Sequence, residues 1–395
     1  MKLLYLSQRI PFPPNRGDRI PVYHQLRWLS KKHEVVVGSL AHSGTRANAE
    51  NLANELRVKV LAPDHSRWQQ LKGMASAFLK RKPLSLGYFW NPTLQKMIDA
   101  ELTGNRFDAV IVFSSSMAQY VERCRHMPRI MNFCDVDSQK WESLAQKSHN
   151  PIRWIYRRES RTLLAYEQKI ATDFDSSCVV SKNEADLFRK YIPGVAVHIL
   201  ENGVNIDYYS AFQHKPEGLS IVLTGVMDYP PNVEAALFFA QNIWGEIREI
   251  HPLARFVIVG ANPTKRVRAL AKIQGIEVTG YVSDVRPYLA SATVSIAPLA
   301  VARGVQNKIL EAMAAGVAVL TTPEVAKGLP DGAESLVFTA ERKADSFAVA
   351  LLDLIKNESV REECAYKAQE FVRKNITWEA KLAVLDRLLR EHVKK

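Results

Sequence analysis

The stretch "TVSIAPLAVARGVQNKILEAMAAGVAVLTT", Thr293 to Thr322, holds a complete strand–helix–strand unit. "TVSIAP" (293–298) and "VAVLTT" (317–322) are short apolar, β-branched runs of the kind buried on both faces of a parallel sheet. Between them "NKILEAMAA" (307–315) has helical spacing, and Gly316 supplies a left-handed stop. A strand, a helix and a second strand of these lengths make a βαβ crossover. The helix opens on a cation, Lys308. A helix N-terminus is electropositive, so that lysine costs a few tenths of a kcal/mol unless something negative is bound beside it.

The same alternation runs through the whole chain. "KLLYLS" (2–7), "EVVVGSL" (34–40), "DAVIVF" (108–113), "RIMNF" (129–133) and "SSCVVS" (176–181) form one series of expected buried strands. "SIVLTG" (220–225), "RFVIVG" (255–260), "IEVTG" (276–280) and the two runs already quoted form a second. Each series has the pattern of a doubly wound sheet. The polar, turn-rich "ENGVNIDYYSAFQHKPEG" (201–218) separates them. The expected fold is α/β with two Rossmann-like doubly wound domains facing across a cleft, since such sheets bind ligands at their strand carboxyl ends. The domains are placed at 1–204, joined by the C-terminal helix 377–395, and at 205–376. The apolar face of that final helix (Leu382, Leu385, Leu388, Leu389) needs a surface to cover.

The bulk numbers fit this reading. A chain of 395 residues, 47% hydrophobic and 24% charged, has room for two domains of about 150–200 residues. No run of roughly 20 apolar residues suggests a membrane span, and the N-terminus does not read as a secretory signal. Cys124, Cys134, Cys178 and Cys364 have no metal-type spacing, which reads as a reduced, cytosolic chain. The net charge of +12 implies an anionic partner. No zinc finger, RNA-recognition signature or basic tail points to nucleic acid, and none is expected.

The strand, the loop bearing Gly304 and the helix N-terminus at Asn307 together present backbone N–H groups to an anion. A phosphate there turns Lys308 from an electrostatic cost into a counter-charge. Asn307 and Glu311 share a helical face. Glu311 needs donors, which ribose or sugar hydroxyls supply; the competing reading is a surface ion pair between Lys308 and Glu311.

"LEAMAAGVAVLTT", "ENGVNIDYY", "VVSKNEADLF" and "VTGYVSDVRPYLASATVSIAPL" resemble the retaining glycosyltransferases of family 4, which have the GT-B fold. "ARGVQNKILEAMA", "GVMDYPPN" and "DVDSQKW" resemble a narrower group, the sugar transferases of bacterial exopolysaccharide clusters associated with exosortase and PEP-CTERM sorting. The resemblance implies a nucleotide-diphosphate sugar bound to the second domain, with Gly225, Arg303, Gly304, Asn307, Lys308 and Glu311 on the donor. The family pairs two glutamates eight positions apart. Glu311 matches the second, on the ribose, but the first position holds Arg303. Many members also carry an Arg and a Lys after the first strand of the second domain. Here "GVMDYPPNVEAALFF" offers Asp228 and Asn232 and no basic residue. Lys308, with Arg303, is therefore expected to neutralise the diphosphate.

In the first domain, "RIPFPPNRGDRIPVYHQLRWL" (9–29) leads from the first strand to a helix. The resemblance matches Gly17 to a glycine whose backbone holds the donor diphosphate, with Arg16 beside it; an ordinary turn glycine is the plainer reading. "NFCDVDSQKW" (132–141) follows a strand. Asp135 and Asp137 are assigned to sugar or acceptor contacts, Asp135 in a catalytic position, with N-capping of the next helix as the alternative for Asp137. The family's histidine near Asp135 is missing. "SRWQQLKGMASAFLKRKPLSLGYFW" (66–90) sets Trp68, Leu71, Ala75, Phe78 and Leu79 on one helical face, ringed by Arg67, Lys72, Lys80, Arg81 and Lys82. Such a helix either lies on an anionic membrane surface or packs that face into the core.

By resemblance the chain is a hexosyltransferase acting with retention on a saccharide or polyprenyl-linked acceptor. It needs no metal or cofactor and works in the cytoplasm, docked peripherally if the 66–90 helix meets the membrane. Two other readings stand beside it: a nucleotide-sugar epimerase of the same fold, and a catalytically inactive lipid- or nucleotide-binding scaffold.

Overall fold

The structure, a computed structural model, describes every residue except 15, 16, 43, 217, 301–305, 394 and 395. The chain divides into two compact units. The first comprises Met1–Glu201 and Lys381–Lys395, the second Asn202–Ala380.

The first unit is built on seven parallel strands: β1 (Lys2–Leu6), β2 (Glu34–Gly38), β3 (Lys59–Leu61), β4 (Ala109–Phe113), β5 (Arg129–Cys134), β6 (Ser176–Val179) and β7 (Val197–Ile199). Their order across the sheet is β3-β2-β1-β4-β5-β6-β7. β4 reads "AVIVF" and is buried at every position, because helices cover a parallel sheet on both faces. The second unit has β8 (Ser220–Thr224), β9 (Arg255–Val259), β10 (Ile276–Gly280), β11 (Val294–Ala297), β12 (Val319–Thr321) and β13 (Phe338–Thr339), in the order β10-β9-β8-β11-β12-β13.

Both orders reverse direction after the first strand, the doubly wound Rossmann-like arrangement. The reversal places a switch point between β1 and β4 in the first unit and between β8 and β11 in the second. At such a point the loops leave two adjacent strands in opposite directions and open a crevice. β3, β7 and β13 are additions to the expected strands. All three are short and half-exposed, so they lack the apolar run that marks the buried strands.

The final helix, Trp378–Val393, buries Leu382, Leu385, Leu388 and Leu389 completely. His392 Nε2 lies 2.7 Å from Ser176 Oγ, and Lys381 Nζ pairs with Glu201 at 2.5 Å. The four cysteines are unpaired.

Candidate functional site

In the second unit, the loop after β8 and the helix after β11 flank the switch point. That helix, Asn307–Ala314, buries Ile309, Leu310, Met313 and Ala314 against the sheet. It ends in a Schellman motif on Gly316 (φ +74°): Gly316 N donates to Met313 O and Val317 N to Ala312 O, each at 3.0 Å. No side chain caps its N-terminus among the described residues.

Lys308 reaches from this helix across to the β8 loop. Its Nζ donates to Oδ1 of Asn232, whose Nδ2 in turn donates to Val226 O at 2.9 Å. A side chain at Gly225 would put its Cβ 2.6 Å from Asn232 Nδ2 and 3.2 Å from Lys308 Nζ, so only glycine leaves room for the ammonium there. The first strand's loop has no cation of its own and receives one from a helix 76 residues later.

Burial lowers the Lys308 pKa from 10.5 to about 8, offset by the charge of Glu311. A displacement of that size corresponds to roughly 3 kcal/mol held against the charged form. Lys308 makes no ion pair with Glu311 among the described residues, so the surface-pair reading is not what the fold contains. Glu311 is instead hydrogen-bonded to the Tyr209 hydroxyl. Burial raises its pKa, while Tyr209 and Lys308 lower it. Tyr209 ends a short helix, Ile206–Tyr209, N-capped by Asn205. Thus the donor that Glu311 requires comes in part from within the chain. Asn307 Oδ1 lies 3.5 Å from Asn202 Nδ2. Arg286 fixes the same 205–209 segment: it grips Asp284 at 2.6–3.0 Å, lies 3.8 Å from the Tyr208 ring and donates to Tyr208 O at 3.2 Å.

The expected donor residues Arg16, Arg303 and Gly304 lie outside the described residues. Gly17 is exposed, and an added Cβ would meet nothing within 4 Å, so nothing inside the fold requires glycine there. Arg9 pairs with neighbouring Asp18 at 2.9 Å.

In the first unit, Cys134 takes a left-handed conformation (φ +64°) at the end of β5 and turns the chain. Asp135 and Asp137 then converge on Lys140 Nζ, at 2.6 and 3.0 Å. Asp137 begins helix Asp137–Gln146 but does not cap it; the N-cap is Val136 and makes no side-chain capping bond. That corrects the capping alternative. Two further carboxylates close round the turn. Glu184 accepts from Val136 N at 2.8 Å, and Glu167 accepts from Ser138 N at 3.3 Å. Burial, then the Asp137 charge, raises the Glu167 pKa to about 8, so this carboxyl keeps its proton at neutral pH. Among the described residues, no group of three or more His, Cys, Asp or Glu side chains is arranged to hold a metal ion.

Sequence reasoning missed Lys140, Glu167, Glu184 and Tyr209. Lys140 stands three residues after Asp137, and that spacing was the available signal. "SKNE" (181–184) carries a capping-box pattern, and Ser181 Oγ does accept from Glu184 N at 3.3 Å. The Glu184 carboxylate serves a different loop. Nothing local marks Tyr209 or Glu167.

Residues 218–357 match the family model described as "Glycosyl transferases group 1". No curated protein matches the chain in sequence. Among solved structures, the chain is similar to a sucrose-phosphate synthase from Thermosynechococcus elongatus, at 14% identity and a TM-score of 0.72, covering 99% of this chain and 98% of that one. It is similar to Anabaena Alr3699/HepE, solved with UDP-glucose, at 14% identity and a TM-score of 0.68, over 99% and 100% of the two chains. WaaG, a glycosyltransferase involved in lipopolysaccharide biosynthesis, aligns at 14% identity and a TM-score of 0.66 over 98% and 99%. The fold is GT-B. The matched family segment lies wholly within the second unit of this GT-B chain and contains Asn232, Lys308 and Glu311.

Proposed function

We propose that this chain is a retaining hexosyltransferase of the family 4 type. It would take its sugar from a nucleotide-diphosphate donor and pass it to a saccharide or polyprenyl-linked saccharide acceptor, in bacterial exopolysaccharide or cell-surface glycan synthesis at the cytoplasmic side. One observation carries the reading: the Lys308 ammonium spans the switch point of the second sheet, held by an amide and desolvated. A diphosphate beside it removes the cost of that buried charge. The same contact stabilises the charge that develops on the departing diphosphate. The group 1 match over this segment supports the assignment, as does the UDP-glucose bound to the Anabaena neighbour.

Glu311, steadied by Tyr209, is assigned to the ribose, while Asn307 and Gly225 line the donor site. Arg303 and Gly304 are assigned to the diphosphate on the sequence alone, as are Arg16 and Gly17. In the first unit, Asp135 and Asp137 are assigned to sugar or acceptor hydroxyls, with Lys140 fixing their orientation. In a front-face retaining route, the departing phosphate oxygen takes the acceptor proton, so no side-chain base is assigned. Lys308 and backbone N–H groups meet the leaving-group charge, and no metal or cofactor is assigned.

The test is a panel of nucleotide-diphosphate hexoses incubated with the purified chain and read by mass spectrometry. Slow release of the nucleoside diphosphate from one donor, accelerated by a saccharide acceptor, is expected. Conversion of a donor to its epimer without any acceptor would replace this reading with an isomerase. No turnover and no thermal shift with any donor would leave a scaffold.

A further inference from the structure

The helix Arg67–Leu79 is mounted on the first unit through a face of mostly small residues, with Gly73, Met74 and Ser76 half-buried. Its buried residues are Gln70 and Ala77. Trp68 is 76% exposed and Leu79 82%, and Leu71, Ala75 and Phe78 are also exposed. The apolar face thus points out, which removes one of the two readings of this stretch, that it packs into the core. Three features hold it there. A full capping box joins Ser66 and Gln69 at its start. It crosses helix Leu84–Tyr88 backbone to backbone, so that a Cβ on Gly73 would fall 2.0 Å from Gly87 O. Glu159, itself buried, accepts from Leu84 N, Ser85 N and Ser85 Oγ at 2.6–2.9 Å and ties that second helix to helix Ile152–Asp173.

The start of helix Ile152–Asp173 extends the patch. Ile152, Trp154 and Ile155 are exposed, with Trp154 at 57%, and the Trp154 ring lies 6.2 Å from that of Phe78. Arg158 stacks 4.7 Å from Phe78 and donates to Lys82 O at 3.1 Å, which closes the join between the two helices. Cations accompany the apolar side chains along both segments: Arg67, Lys72, Lys80, Arg81 and Lys82 in the first, Arg157 and Arg161 in the second, all exposed. Residues 66–90 contain no acidic residue, and the carboxylate in 147–161, Glu159, is buried.

We propose that this surface docks on an anionic phospholipid bilayer, with Trp68, Leu71, Leu79 and Trp154 entering the interfacial layer and the lysines and arginines meeting phosphate head groups. Side chains that stand this far out suit a soft apolar phase better than a partner protein, whose anchors fill pockets. Two tryptophans beside basic residues match the composition of the interface. No helix among the described residues is long and apolar enough to cross a membrane, so the contact is peripheral. This inference does not rest on the transferase reading.

The test is flotation of the full chain with vesicles of phosphatidylcholine alone or mixed in equal parts with phosphatidylglycerol. Three proteins are compared: the parent, a Lys72→Glu/Lys80→Glu/Lys82→Glu variant, and a Trp68→Ala/Leu79→Ala variant. All changed positions are exposed, and unchanged circular dichroism confirms folding. The parent is expected to partition at least tenfold more onto the anionic vesicles, and each variant to lose at least tenfold of that binding. Equal partitioning of the parent onto both vesicle types overturns the proposal. Binding that needs the lysines but is indifferent to Trp68 and Leu79 also overturns it, and points to an acidic macromolecule instead.

Discussion

Lys308 and Lys140 each lie near the start of a helix that follows a parallel strand, one in each unit. Their surroundings differ in one respect. Lys140 is held by two carboxylates, with Glu184 and Glu167 serving the same turn, and although its partial desolvation works the other way, the charges of Asp137 and Asp135 raise its pKa. Lys308 is held by an amide, and burial lowers its pKa to about 8. Lys140 is neutralised by its own chain, whereas Lys308 is left with charge to offer. A lysine's place on the fold therefore says less about its role than the count of carboxylates within reach.

The strongest way to break this contrast is to remove the available cation. Lys308→Ala is expected to lower nucleotide-sugar turnover about 100-fold, or about 2.7 kcal/mol of transition-state stabilisation. A loss below tenfold in steady-state kinetics means the diphosphate is gripped elsewhere.

A sharper version makes Lys308 resemble Lys140. Asn232→Asp supplies an internal anion, and nucleotide binding measured by calorimetry should weaken about tenfold, or about 1.4 kcal/mol. In the parent, an anion that restores the Lys308 pKa must draw a proton in near pH 8. Affinity should hold below that pH and fall as pH rises through it. Calorimetry at pH 8 in buffers of different ionisation enthalpy should register net proton uptake; none would place the anion away from this amine.

On the other side of the comparison, Lys140→Met strands Asp135 and Asp137. The Lys140 side chain is 44% exposed, so solvent absorbs much of the loss and the expected destabilisation is only about 1 kcal/mol, read by denaturant unfolding. At Glu167 the expected effect is on the pH profile of stability rather than on turnover. Its folded pKa is about 8 against 4.5 for a free carboxyl, so its protonation stabilises the fold at low pH and that contribution is lost between pH 4.5 and 8. Glu167→Gln should flatten stability across that window. An unchanged slope would assign the pH dependence to other groups.

Most of the fold was legible because a buried parallel strand is an unbroken apolar run, as in "AVIVF" and "SIVLT". β7 ("VHI") and β13 ("FT") were not, since a two- or three-residue half-exposed strand is defined by its neighbour's hydrogen bonds rather than by its own composition. Lys308 could be singled out locally, because the helix dipole makes a cation in the first turn conspicuous. Its partner Asn232 could not, since the sheet order brings residues 76 apart together. The 66–90 helix shows a third limit. Spacing gives the apolar face, but which way it points depends on the Gly73–Gly87 crossing and on Glu159, contacts that sequence periodicity does not contain.

That crossing also shapes how the purified chain behaves in a tube. With the tryptophan face locked outward, repulsion between the exposed basic residues beside it should hold copies apart, and such repulsion reaches only about 10 Å at 0.1 M salt. Added salt should therefore favour clumping, the reverse of ordinary salting-in, and a mild detergent should disperse the aggregates.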